Sequence, residues 1–510
     1  MKDTITGITG TLSHRLEDNL VQLVQLLGTS TDFITKKLEL DESTHIALLY
    51  IDGLVDTQVL HNSILFSLQE RCTPDQMRDL DANQKIELLQ KRMLIAGDLS
   101  VTHDLGQFVH ELLSGNIMVL VDGTSSALRI GLPGWEDRNV GEPSSQSVVR
   151  GPMEGFTENM RTNTALIRRK IKDSQLWLET FQIGKVTQTS VSIMYLANIA
   201  NPDLVQEVKR RLAKIDTDSI LESGYIEEFI QDTAATPFPT IYNSDRPDTI
   251  AAGILEGKVA ILVDGTPFVL LVPTFFVAFF QSAEDYYQRA DIATLLRFIR
   301  FLSFFITLLA PSFYVAVTTY HQEMIPTNLV ISLAAQRENV PFPAFVEAML
   351  MELTYEILRE AGVRIPKNIG QAISIVGTLV IGQAAVAAGF ISSAMVIIVS
   401  ITAISSFVIP ETGMSIAARI IRFVLIGLAG FIGLYGILFG VFLIVLHLAG
   451  LRSFGMPYMS PIGPYRSNDL KDSIFRFPWP LLKTRPADSM IQTLDRQSTN
   501  RRKESADEPK

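Results

Sequence analysis

A single cysteine, Cys72, occurs among 510 residues. No disulfide can form within the chain, which suits a reducing compartment. The first twenty residues, MKDTITGITGTLSHRLEDNL, contain no apolar core of the kind a cleaved leader carries, so the polar half is expected to stay in the cytosol. The net charge is −10 and no domain is strongly basic, which argues against nucleic acid as a partner. Chemical signatures are scarce as well. There is no GxxxxGK[ST] loop, no GxGxxG, no HExxH and no GxSxG elbow, and the seven histidines (His14, His45, His61, His103, His110, His321 and His447) form no close pair at zinc-ligand spacing. Neither a catalytic residue, a cofactor nor a metal site is expected.

Charge is missing where its absence says most. Asn368 to Pro410 runs for 43 residues without Asp, Glu, Lys or Arg, and Phe423 to Leu451 for another 29. A bilayer core of about 30 Å takes about 20 apolar residues as helix, so these runs predict an integral membrane protein. Spans are expected at about 300–320, with a kink at Pro311, and at 369–389, 391–409 and 421–449. The last is read as one long helix with a seam of Gly427, Gly430, Gly433, Gly436 and Gly440; two short spans are the alternative, disfavoured because no turn or charge divides the run. Arg289, Arg297 and Arg300 ahead of the first span, and eleven basic against seven acidic residues beyond Gly450, predict that both termini are cytosolic.

Between the first two spans, residues 322–367 read as amphipathic, with Glu352, Glu356 and Arg359 on one helical face and Leu350, Leu353 and Ile357 on another. Ionisable groups among membrane spans are costly unless they face water or partners, and small residues let helices approach closely. Glu352, Glu356, Arg359, Gly377, Gly382 and Gly433 are therefore the gating or pore candidates. LVPTFFVAFFQSAEDYY, residues 271–287, is too short for a span and reads as an interfacial elbow.

The polar half carries an internal duplication. SGNIMVLVDGT (114–124) aligns with EGKVAILVDGT (256–266), six of eleven columns being identical, and IALLYIDGLVD (46–56) shares its apolar pattern with VSIMYLANIAN (191–201). Two matches in one order predict two related lobes. Asp-Gly between β-rich flanks predicts a type I′ hairpin in each, and Asp122 and Asp264 are read as turn residues ahead of any metal or catalytic role.

The stretch RGPMEGFTENMRTNTALIRRKI (150–171) closes a Pro-, Gly- and Ser-rich connector and opens the second lobe. Its glycines lack phosphate-loop spacing. Thr157 is the expected N-cap, Met160, Thr164, Ile167 and Ile171 share a face, and Arg168, Arg169, Lys170 and Lys172 gather at the C-terminal end, where cations favour the helix dipole. The expected division is 1–37 N-terminal helical segment, 38–137 first lobe, 138–155 connector, 156–290 second lobe, 291–451 transmembrane domain and 452–510 tail. The fold class is thus an α/β cytosolic region of two related lobes followed by an all-α multi-pass transmembrane domain.

Long motifs in order, RNVGEP, VVRGPMEGFTEN, NTALIRRKI, DRPDTIAAGILEG, AILVDGTPFVLLVPT and SFGMPYMSPIGP, resemble the A subunit of the GerA-type spore germinant receptors. The match runs from about Arg138 to Pro480, and less distinctly before it. The resemblance implies a receptor subunit in the inner membrane of a bacterial endospore, working with a permease-like B subunit and a lipoprotein C subunit, and forming a homo-oligomer, a pentamer, that conducts ions. Its matching positions are Arg138, Glu142, Pro143, Arg150, Gly151, Pro152, Gly155, Phe156, Glu158, Asn159, Asn163, Arg168 and Arg169. Of these, Arg138, Glu142, Arg150, Glu158, Asn159, Arg168 and Arg169 are the candidates for contacts between lobes or subunits. The chain departs from the pattern at Gln146, where an acidic residue is usual, and at Met153, where a basic one is common. The A-subunit-like protein of the dipicolinate-release machinery shares these motifs. Two other readings are a small-molecule site between the lobes and a solute transporter, the latter disfavoured because the duplication lies outside the membrane segments.

Overall fold

A computed structural model describes residues 8, 10–41, 44–65, 80–92, 98–134, 141–143, 145–146, 148–364, 382–467, 469–486 and 491–496. The chain divides into a unit of Met1–Gln231, Ile241–Pro273 and Lys483–Lys510, and a unit of Asp232–Thr240 and Thr274–Leu482.

The first unit contains both lobes. In lobe 1, α1 (Leu16–Leu27) leads into β1 (Phe33–Asp41) and β2 (Thr44–Ile51), followed by α2 (Ala82–Arg92), β3 (Leu99–Thr102), α3 (Leu105–Leu113), β4 (Ile117–Val121) and β5 (Ala127–Ile130). Lobe 2 repeats the series with α4 (Met160–Lys170), β6 (Leu176–Ile183), β7 (Thr189–Leu196), α5 (Pro202–Ala213), α6 (Ser223–Ile230), β8 (Tyr242–Ser244), α7 (Pro247–Leu255), β9 (Val259–Val263) and β10 (Val269–Val272). The strand orders, β1-β2-β4-β5-β3 and β6-β7-β9-β10-β8, are the same, and every pairing is antiparallel. β4 and β9 are buried along their whole length, so both faces of each sheet are covered there. That is why these strands read as unbroken apolar runs, without the alternation of a half-exposed sheet.

Leu16, Leu20, Leu23 and Leu27 make one stripe of α1 and pack with Leu105, Phe108 and Leu112 of α3 and with Ala47, Leu49 and Met118 of the sheet. The helix set apart above in the 1–37 segment is therefore part of lobe 1. The Asp-Gly segments do join paired strands, but the type I′ expectation fails. Gly123 and Gly265 have φ of +86° and +91°, whereas neither aspartate has positive φ. The aspartates serve another purpose. Asp122 Oδ1 accepts from Leu16 N at 2.9 Å and Asp264 Oδ1 from Met160 N at 3.1 Å, while Gly123 N and Gly265 N donate to the carbonyls of His14 and Glu158, each at 2.8 Å. Each hairpin thus holds the free N-terminal amides of its own lobe's first helix, with a carboxylate at the positive end of the helix dipole.

Residues 484–486 and 491–496 form a strap on lobe 2. Thr484 bridges Asp495, Gln492 N and Nε2 donate to the carbonyls of Ile199 and Ala200 at 3.0 and 2.9 Å, and Arg485 Nε donates to Leu255 O at 2.9 Å. Ile491 lies against Gly257, where any side chain would overlap it.

The second unit is helical: α8 (Ala290–Thr319), α9 (Thr327–Arg337), α10 (Ala344–Arg364), α11 (Gly382–Ala387), α12 (Ser393–Val408), α13 (Thr412–Ile432) and α14 (Leu434–Gly450). Helices α8 and α13 are long and apolar enough to cross a membrane by length and composition. Helix α8 runs on through Pro311. Most of the expected 369–389 span, including Gly377, lies outside the described residues. The single long helix expected at 421–449 is two. Gly433, at φ +68°, ends α13 and starts α14, a backbone state that glycine takes without the steric cost of a Cβ. The glycine seam then folds back on itself. A Cβ on Gly436 would overlap the Leu428 carbonyl, and one on Gly440 the Leu425 side chain.

The expected elbow forms two short helical turns, Phe276–Phe280 and Ala283–Tyr286. Phe276 and Phe280 pack with Phe304, Tyr458 and Phe301. Arg297 and Arg300, read as the basic flank of the first span, are buried on Asp285 at 2.9 and 2.8 Å, and Arg297 also pairs with Asp472 at 3.0 Å.

Candidate functional site

Two places gather buried charge. The first is the joint between the lobes. Asn159, not Thr157, caps α4, accepting from Thr162 N at 3.2 Å. The helix presents Arg168 to lobe 1, where it is 2% exposed. Its Nε pairs with Asp32 Oδ2, and its Nη2 donates to Asp32 Oδ1 at 2.8 Å and to Ser30 Oγ at 2.9 Å. A forked guanidinium on a buried carboxylate is a strong, directional contact. Two turns nearer the N-terminus, Arg161 pairs with Asp52. Burial pushes the Asp52 carboxyl above the usual aspartate range, and the Arg161 guanidinium opposes that shift. The backbone closes the joint further. Leu178 of the edge strand β6 accepts at its carbonyl from Thr31 N at 3.0 Å and donates its amide to Ser30 Oγ at 3.0 Å. Gly53 meets α4 so closely that a Cβ there would lie 2.9 Å from Arg161 O and 3.2 Å from Ala165 Cβ.

Beside these contacts the lobes enclose a cavity of about 440 Å³, lined by Gly53, Asp56, Thr57, Gln58, Gly134, Asn159, Arg161, Thr162 and Arg169 among others. Its size lies within the range of small-molecule sites, and its polar donors and acceptors come from both lobes.

The connector is strapped to lobe 2. Ser145 N and Oγ donate to Asp245 at 2.8 and 2.7 Å, and Phe156 N donates to Asp245 O at 2.8 Å. Arg246, held by Asp248 at 2.8 Å, donates to the carbonyls of Gln146 and Pro152 at 3.1 and 3.0 Å. The DRPD of the motif is therefore the clasp of the connector. Gln146, the departure noted above, bonds Tyr242 and Ser244 as a neutral amide.

The second place lies in the helical unit. Helix α10 turns Glu347, Ala348 and Glu352 inward, while Leu350, Leu353 and Ile357 are 43%, 57% and 61% exposed. This is the reverse of a helix on a water-soluble core, whose apolar stripe faces inward. Glu352 pairs with Arg422 at 2.6 Å, both fully buried, and Glu356 pairs with Arg419 and, at 3.3 Å, with Arg422. Glu347 Oε1 accepts from Ser392 N at 2.6 Å, at the N-terminus of α12. Four charged groups from α10 and α13 are thus paired inside a unit whose outside is apolar.

The model of the Bacillus/Clostridium GerA spore germination protein family matches residues 21–488. The chain belongs to the GerA family. It is 47% identical to spore germination protein KA of Bacillus subtilis strain 168, covering 97% of this chain and 90% of that one. It is also 42% identical to the uncharacterized membrane protein YfkQ of the same strain, covering 93% and 91%. Among solved structures it is similar to the crystal structure of the N-terminal domain of the A subunit of the Bacillus megaterium spore germinant receptor GerK3, with 37% identity, 53% of this chain and 98% of that one covered, and a TM-score of 0.43. A role in spore germination follows from the family.

Of the candidate residues in this GerA-family chain, Arg168 and Asn159 stand at the joint, and Arg169 pairs with Glu154 of the connector at 3.4 Å. Glu158 lends its carbonyl to Gly265, whereas Glu142 and Arg150 are exposed and Arg138 lies outside the described residues. Gly155 N donates to Gly141 O at 2.8 Å, and a Cβ there would come within 3.1 Å of the same atom. Glu352 and Glu356 meet in one network, and the Arg359 guanidinium lies over the Phe407 ring. Among the described residues, Gly382 has only an ordinary 3.9 Å neighbour, Val396. His447 meets Thr236 Oγ1 at 2.9 Å. Sequence reasoning missed Arg419 and Arg422. Their signal was two arginines three residues apart just ahead of a charge-free run.

Proposed function

We propose that this chain is the channel-forming A subunit of a nutrient germinant receptor. It acts in the spore inner membrane, with both termini cytosolic, as a homo-oligomer with the pentameric stoichiometry the resemblance implies, beside a permease-like B subunit and a lipoprotein C subunit. The observation that carries the reading is α10, with its apolar face outward and Glu352 and Glu356 paired inward to Arg422 and Arg419. Paired charge inside an apolar shell is what a membrane demands of polar groups that serve an ion path. The strap supports an even number of crossings, because residues 484–496 return to the same unit as the lobes.

In this reading, nutrient held by the partner subunits shifts the packing of the small-residue helices. The charge network rearranges and monovalent cations pass. Conductance of the purified full chain in planar bilayers, with and without its partners and nutrient, tests the proposal. Nutrient-dependent cation current that changes in Glu352→Gln and Glu356→Gln is expected; no current under any combination would sink it. An accessory role in dipicolinate release predicts instead that spores lacking the chain start ion release normally on nutrient and fail only at the dipicolinate step.

The cavity between the lobes favours a second reading, a site for a small polar molecule. Calorimetry on the detergent-solubilised full chain with amino acids, sugars and nucleosides tests it. Heat that disappears when Thr162→Trp fills the cavity supports the site, and silence across the panel removes it.

A further inference from the structure

The first turns of α8 carry their charge inside and their apolar side chains outside. Arg297 and Arg300 point inward to Asp285 and Asp472, while Ile292, Leu295, Phe298, Ile299, Leu302 and Phe305 make an outward stripe at helical spacing, between 38% and 59% exposed. A helix on a water-soluble core turns its apolar stripe inward, so this stripe marks contact with lipid from the start of the helix. At about 1.5 Å per residue, the 30 residues of α8 measure about 45 Å, which matches a bilayer of about 40–45 Å with its headgroup layers and exceeds the hydrocarbon core of about 30 Å. The first turns therefore stand at the level of the headgroups.

Trp and Tyr gather at that level in membrane proteins. The elbow turns its phenylalanines away from it, since Phe276, Phe279 and Phe280 are buried. The chain beyond α14 supplies outward rings instead. Arg297 Nη1 donates to the carbonyls of Asp472 and Ser473 at 3.0 and 3.2 Å, and Arg476 N donates to Thr294 Oγ1 at 3.1 Å, so residues 472–476 run along α8 toward its N-terminus. The Arg476 side chain is turned inward, 4% exposed, with its guanidinium over the rings of Tyr286 and Trp479 at 5.7 and 5.6 Å. Phe475 and Phe477 on either side of it turn outward, and Trp479 and Leu481 follow, the four being 58%, 40%, 44% and 56% exposed. Such a patch marks a site of contact, and an indole, apolar at one end and a donor at the other, suits the boundary between lipid and water.

We infer that residues 475–481 are an interfacial anchor, with Phe475, Phe477, Trp479 and Leu481 seated in the lipid headgroup layer beside the first turns of α8. The occupant is lipid because the segment is bonded to the helix whose outward apolar stripe runs on into the hydrocarbon. The inference rests on the reading that α8 crosses the membrane. The tail expected from 452 onward is then held at the membrane surface as far as Leu481.

Depth-dependent fluorescence quenching of the full chain in phosphatidylcholine–phosphatidylglycerol liposomes tests it. Trp135 and Trp177 are changed to Phe so that Trp479 alone emits, and a single cooperative melt shows that each variant folds. The Trp479 emission is expected to be quenched by lipid carrying a nitroxide at the headgroup end of its acyl chain, more than by lipid labelled at mid-chain and more than by acrylamide in the water. Phe305→Trp combined with Trp479→Phe moves the emitter to about three turns beyond Thr294 on α8, where the mid-chain label is expected to quench most. Trp479 reached by acrylamide and by neither lipid faces water, and Trp479 reached by none of the three quenchers is covered by protein. Either result overturns the inference, as does strongest quenching of Trp479 by the mid-chain label. Mid-chain quenching of the Phe305→Trp emitter in the same experiment leaves the membrane reading of α8 standing, whereas its quenching by acrylamide alone removes that reading together with the anchor.

Discussion

Arg168→Met should unfasten the two lobes. The Arg168 guanidinium is the main partner of Asp32, itself 6% exposed, and its loss leaves that carboxylate buried with the Ser30 hydroxyl at 2.8 Å. Breaking one side of a buried pair costs about 3–5 kcal/mol. At roughly 2–4 °C per kcal/mol for a large domain, the melting midpoint of the lobe unit should fall by roughly 6–20 °C. Removing both charges together, Arg168→Met with Asp32→Leu, should recover most of that loss, because paired apolar replacements of buried ion pairs are often neutral or stabilising by about 1–4 kcal/mol. Trp177 is a built-in reporter, since Gly28 of lobe 1 lies against its ring. Its emission can be followed on heating the solubilised full chain with Trp135 and Trp479 changed to Phe. A single variant melting within about 2 °C of the parent, or a double variant no more stable than the single, would refute the reasoning.

Other perturbations separate the remaining features. Asp264→Ala removes the carboxylate at the start of α4 and should cost about 0.5–2 kcal/mol, as a lost cap does; chemical denaturation measures it, and Asp122→Ala should act alike on lobe 1. Gly436→Ala drives a methyl into the Leu428 carbonyl and should destabilise the helical unit by about 1–3 kcal/mol, whereas Gly382→Ala should be close to silent in the same thermal assay. Glu352→Gln removes the nearer of the two carboxylates that pair with the buried Arg422 and should cost up to about 3–5 kcal/mol. Glu352→Leu with Arg422→Leu should restore stability without restoring current, and restored current would separate the network from conduction.

The duplication was legible because each lobe needs the same fully buried central strands, and burial on both faces leaves the same apolar run in both. The joint was half legible. The basic end of α4 stood out, but Asp32 lies 136 residues away in the chain, and no local period links the two. The helical unit misled in one place. Glycines spaced three and four apart suit both a packing seam and a helix break, and only the positive φ of Gly433 decides between them. The two faces of α10 were visible, but periodicity cannot say which face points inward, because that depends on whether water or hydrocarbon surrounds the unit. Arg419 and Arg422 escaped because a search for charge-free runs begins where they end.

The strap has a consequence for the order in which the protein is completed. Lobe 1 can close as soon as its own last hairpin is made. Lobe 2 cannot: the carbonyls of Ile199 and Ala200 and the surface at Gly257 are met by Gln492 and Ile491, which leave the ribosome only after residues 274–482. A chain arrested anywhere in the helical unit carries a finished first lobe and an uncapped second one, so protease sensitivity near Ile199 would separate nascent chains from complete ones.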